Sequence, residues 1–118
     1  MGALARDTIV HLLQGETMTA RRAATLPGHQ AWVGVVSLEK PTRVYLNAAE
    51  ESLLGRMRVH SFEIANGLLR DDYDIHEEEL AYDQRYVVTG PRELCALLQR
   101  LGVDPANLDY KSATAYPL

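Results

Sequence analysis

A small antiparallel sheet with two or three helices packed on it, an α+β fold, is what this sequence predicts. Three observations lead there. Strand and helix signals are mixed, without the strict strand–helix–strand rhythm of a parallel sheet. Tight-turn signals at Glu39-Lys40-Pro41-Thr42 and Asn66-Gly67 sit beside β-rich runs, as hairpins require. The 118 residues, 47% hydrophobic and 24% charged, match one ordinary globular domain over residues 1–118. A chain of that size buries a core without disulfide or metal staples.

Residues 3–14 read as a helix, because Ala5, Ile9, Leu12 and Leu13 fall on one face and Gly15 is a natural stop. The β-branched pair Ile9-Val10 keeps a strand reading open. Residues 16–30 are polar, are broken by Pro27-Gly28, and read as loop. Residues 32–38 are apolar on both faces, as a central strand would be. The turn at 39–42 leads to residues 43–46 as the second arm of a hairpin. Asn47 can then cap a short helix over 48–54, with Glu50 reaching back.

Residues 57–64 alternate as a strand, and Asn66-Gly67 after them is the strongest short hairpin signal in the chain. A helix over 59–69 competes, since Val59, Phe62 and Leu69 also line up at helical spacing. Residues 80–88 alternate, with Leu80, Tyr82, Tyr86 and Val88 on one face, which would bury Tyr82. The clearest element follows: Gly90-Pro91 opens a helix with Pro at its first position and Glu93 in its first turn. Leu94, Leu97, Leu98 and Leu101 form its apolar face, and Gly102 with Val103 closes it as a Schellman cap. Asp104-Pro105 starts a short 3-10 piece, and residues 109–118 read as a polar, Tyr-containing tail.

Cys95 is the single cysteine, so no intramolecular disulfide forms. No signal-peptide pattern and no run of roughly 18 apolar residues is present. Arg6 stands where a myristoylation signal needs Ser or Thr. A cytoplasmic protein with no membrane partner is expected. Charge is uneven. Residues 1–60 carry seven basic and five acidic side chains, net +2, while residues 61–118 carry five and eleven, net −6. Such a field draws basic partners and disfavours direct nucleic-acid binding.

Catalysis needs converging groups, and only weak candidates exist. His60 and Glu63 would share a face on a helix but point apart on a strand. Asp71, Asp72, Asp74 and His76 offer metal-ligand atoms, but the segment lacks the Gly and Glu of an EF-hand loop. His11 reads as a core-edge histidine, and His29 lies in a loop. Cys95 has no histidine near it in sequence and reads as a core residue. No nucleophile elbow, phosphate loop, dinucleotide fingerprint or zinc-protease motif occurs. No catalytic residue, metal site or cofactor is therefore assigned.

The acidic stretch is the more informative feature. Six of the nine residues from Asp71 to Glu79 are acidic, interrupted by Tyr73, Ile75 and His76. Asp71, Asp72, Tyr73, Asp74, Glu77, Glu78 and Glu79 form the candidate partner-binding site. Carboxylates there would steer a basic protein, with Tyr73 as anchor. Carboxylates that only guard a sheet edge or a solvated loop are the plain alternative.

The run from Glu93-Leu94 through Leu101-Gly102-Val103-Asp104-Pro105-Ala106-Asn107-Leu108, and the ending Tyr116-Pro117-Leu118, resemble bacterial polymorphic-toxin immunity proteins. These include the immunity proteins of contact-dependent growth inhibition. The resemblance implies a cytosolic inhibitor bound to the C-terminal toxin domain of a cognate effector, often a tRNase or DNase. It carries over no inhibitory residue. Two other classes stay open: a small hydrolase-type enzyme using His60 and a carboxylate, and a self-assembling adaptor with an exposed sheet edge.

Overall fold

A computed structural model gives the structure, and residues 3–41, 53–70 and 73–118 are described. Helix α1 (Arg6–Leu13) comes first, then β1 (Met18–Arg22), β2 (His29–Ser37) and β3 (Arg56–Ala65). β4 (Ala81–Thr89), α2 (Gly90–Arg100) and the two-residue β5 (Asp109–Tyr110) follow. The strands form one sheet in the order β4-β3-β2-β1-β5, every neighbour antiparallel. Two helices pack on it, so the α+β expectation holds. The proposed hairpin arm at 43–46 and helix at 48–54 lie outside the described residues, as do Asp71 and Asp72.

Strand alternation gives the sheet two different faces. Met18, Ala20, Val33, Val35, Met57, Val59 and Val88 point to one side. There they meet Ile9, Leu12 and Leu13 of α1 and Leu94, Leu97 and Leu98 of α2. Each of these leucines contributes about 1.5–3 kcal/mol by leaving water. Both helices end in a Schellman cap. Glu16 N–H bonds the His11 carbonyl (2.9 Å) past Gly15, and Val103 N–H bonds the Leu98 carbonyl (2.8 Å) past Gly102. Pro91 sits in the first turn of α2, one position further in than expected, while Glu93 Oε1 accepts from the Thr89 N–H (3.0 Å).

The other face carries Trp32, Phe62 and Ile64 and is covered by chain rather than helix. Leu68, Leu69, Ile75 and Leu80 pack on it from one side and Tyr116 from the other. Trp32 Nε1 donates to the Thr114 carbonyl (2.8 Å), and the Tyr116 ring meets Phe62 edge-on at 5.5 Å. Burial pushes the Tyr116 hydroxyl up to about 12, while Arg58 pulls it the other way. The expected polar tail is thus a short strand and a strap that locks into the sheet.

Four expectations are corrected. Residues 16–30 are not all loop. Met18 and Ala20 bury against the helices, but only five residues long and ending in two arginines, β1 shows too little alternation to read. Asn66-Gly67 is not a hairpin turn, because both positions keep negative φ within a 3-10 turn, Asn66–Leu68. Asn66 is committed elsewhere: its N–H bonds the Gly28 carbonyl (2.8 Å), and its Oδ1 accepts from Gln30 (3.0 Å). The expected apolar face of β4 is split, since Tyr86 and Val88 turn to the helices and Leu80 to the Trp32 side. A bulge between Ser61 and Glu63 does this, and it leaves Tyr82 52% exposed at φ 46°.

Candidate partner-binding site

The acidic segment leaves β3 through the 3-10 turn at 66–68 and returns to β4 through a second one, Glu77–Glu79. Tyr73 does not project from it. The ring is half-buried, Arg70 lies over it at 5.3 Å, and the hydroxyl donates to Glu79 Oε2. Glu79 also accepts from the His76 N–H (2.9 Å). These two donors, Tyr73 first, hold the Glu79 carboxyl below its ordinary range, and the same bond to Glu79 raises the Tyr73 hydroxyl. Tyr73 and Glu79 therefore act as an internal brace.

The brace leaves Asp74, Glu77 and Glu78 exposed along one ridge. Glu77 is bonded to Arg85 of β4, whose guanidinium also reaches Asp83 Oδ2 at 3.4 Å. Asp83 Oδ1 in turn lies 2.6 Å from His60 Nε2. This row of contacts ties the ridge to the sheet. Beside the ridge is a cleft of about 420 Å³ whose lining includes Tyr73, Ile75, Leu68, Leu69, Trp32, Gln30 and Arg70. The cleft mixes apolar side chains with the polar groups of Gln30 and Arg70, as the surface of a protein interface does.

His60 and Glu63 lie on opposite faces, as the strand reading requires. Glu63 is fully buried beneath the β1–β2 connection. The Thr25 N–H donates to both of its oxygens (3.0 Å each), Leu26 N–H donates to Oε1 (3.0 Å), and Arg22 Nη1 stands 3.4 Å from Oε2. Burial alone would raise this carboxyl, but the Leu26 and Thr25 donors and the Arg22 charge outweigh it and hold it below its ordinary value. Its importance was missed, although a signal existed: Glu63 is in phase with buried Met57 and Val59.

His11 is half-buried, with Nδ1 at 2.6 Å from Glu16 and Nε2 at 2.7 Å from the Tyr110 hydroxyl. It holds α1 to β5, in keeping with a core-edge role. Cys95 is half-buried against the helix-side core. Among the described residues, no group of three or more His, Cys, Asp or Glu stands close enough to hold a metal ion. No helix among them is long and apolar enough to cross a membrane.

These features define a small α+β domain with an exposed acidic ridge. No family model matches the chain, and neither a curated protein nor a solved structure does.

Proposed function

We propose that this chain is an immunity-type protein that binds and neutralises a cognate basic toxin domain, a nuclease, through its acidic ridge. One observation carries the reading: Asp74, Glu77 and Glu78 are exposed on a turn whose geometry is held from inside by Tyr73 and Glu79. A braced turn loses less conformational freedom on binding than a solvated loop does. A nuclease cradles phosphates with Arg and Lys, so carboxylates held at that spacing occupy the site in place of RNA or DNA. The net −6 of residues 61–118 steers the encounter. Tyr73 serves here as support and wall of the Trp32 cleft, rather than as a projecting anchor.

The test is a pull-down of tagged protein from its native host, with mass spectrometry of bound chains. The expected result is a basic toxin domain that is lost at high salt and after reversing Asp74 and Glu78 to lysine. Capture that ignores both salt and charge reversal would remove the ridge from the interface.

A second reading has its own observation. β4 is nine residues long, stands at the end of the sheet order, and leaves Val87 64% exposed. Such an edge can add a strand from another copy. Sedimentation of the purified chain decides it, since a mass that rises with concentration and falls on Val87→Lys would favour self-assembly.

A further inference from the structure

The bulge in β4 has a second consequence, on the helix-covered face. A regular ladder continuing from the Ser61–Gln84 pair would set Tyr82 opposite Glu63. The observed register sets Ala81 there instead. Beside this pair, just past the end of α2, is a polar cleft of about 360 Å³. Tyr82 moves to its rim, in a backbone conformation that bulky residues rarely adopt. Bulges and strained positive-φ residues of this kind concentrate where a side chain is re-aimed at a ligand.

The cleft is rich in donors. Arg22 lies in its wall with a side chain only 11% exposed. Its guanidinium is fixed by three contacts: Nε donates to Ser61 Oγ (3.1 Å), and Nη1 donates to the Ala23 carbonyl (3.1 Å) and faces Glu63 (3.4 Å). Nη2 is the donor that a ligand would meet. Arg100, exposed on the last turn of α2, also lines the cleft, as do Gln84 and Tyr82. The Glu63 carboxylate also lines the cleft and pairs with Arg22, so the net positive charge offered to a ligand is that of the second guanidinium, Arg100. Two guanidiniums, a phenol and an amide around one void suit an oxyanion, held by charge-assisted hydrogen bonds.

We propose that this cleft binds a small organic anion, with a carboxylate or phosphate seated between Arg22 and Arg100 and its polar body against Tyr82 and Gln84. A void of this size is in the range of small-molecule sites. The site lies on the face of the sheet opposite Phe62 and His60. It is independent of the acidic ridge and of any toxin.

The experiment is a chemical-shift titration of the full chain with sodium citrate and with sodium phosphate, against sodium chloride at matched ionic strength. The expected result is saturable shifts at amides of residues 22–25, 61–63, 82–84 and 100–102, with half-saturation on the order of 1 mM. Comparing the two anions tells whether a carboxylate or a phosphate is preferred. Arg100→Gln should weaken binding by about tenfold, the scale of one charge-assisted bond. Arg92→Gln, on the same helix but outside the cleft, should leave it unchanged. Shifts that do not saturate, shifts spread over unrelated surface arginines, or equal affinity in the two variants would overturn the proposal.

Discussion

Glu63 and the carboxylates at 74–79 are the same chemistry in opposite settings. Glu63 is fully buried and held by the backbone of Thr25 and Leu26 and by Arg22. Asp74 and Glu78 stand in solvent. A buried carboxylate is costly unless every lone pair is met, so Glu63 fixes a connection and serves stability. An exposed one contributes little to stability and keeps its field for a partner. Glu79 lies between these extremes: half-buried and bonded to Tyr73 and His76, it orders the turn that presents the others.

The largest expected effect breaks the buried side of this contrast. Glu63→Ala strands two N–H groups and a mostly buried guanidinium, and should cost about 3–5 kcal/mol in urea or thermal unfolding. Next is the strap. A Cβ on Gly34 would collide with the Tyr116 hydroxyl and stand 2.8 Å from Cζ. Gly34→Ala should therefore expel Tyr116 and cost about 1–3 kcal/mol, with the change visible in near-ultraviolet circular dichroism.

Acid sharpens the comparison. The folded state holds Glu63 below its ordinary value of 4.5, so its contribution is fully present above that value. It is lost as pH falls through the lowered folded value. Melting temperatures of the wild type and Glu63→Gln should differ most near neutral pH and converge at acid pH. A constant gap would show that the Glu63 charge is not involved.

The exposed side should respond in the reverse sense. Asp74→Lys with Glu78→Lys should change stability by less than about 0.5 kcal/mol. The same pair should slow association with a basic partner at low salt by about tenfold or more. The smallest effect belongs to Tyr73→Phe, which removes the bond to Glu79. Its hydrogen exchange at His76 and Glu79 should quicken while the melting temperature hardly moves.

How much of this was legible follows from what periodicity can register. The α2 face and its Gly102 cap were plain, since Leu94, Leu97 and Leu98 repeat at helical spacing. β2 read as central because Trp32 and Val33 bury on opposite sides. The bulge was not legible, because one inserted residue leaves the composition of β4 unchanged and shifts only its phase. β1 was too short, and its partners lie far along the chain: Thr19 Oγ1 bonds the Asp109 carbonyl at 3.1 Å. Within the acidic run, charge was visible at once. The inward turn of Tyr73 and Glu79 was not, because it depends on a contact that no spacing rule encodes.

The most direct measurement is the association rate with the basic toxin domain recovered from the host, at low and physiological salt. Wild type would be compared with the Asp74→Lys, Glu78→Lys double variant after both are shown to melt alike. A fast, salt-sensitive rate that the double variant loses is the expected result. Equal rates for the two proteins at low salt would contradict the assignment of the ridge as the binding surface.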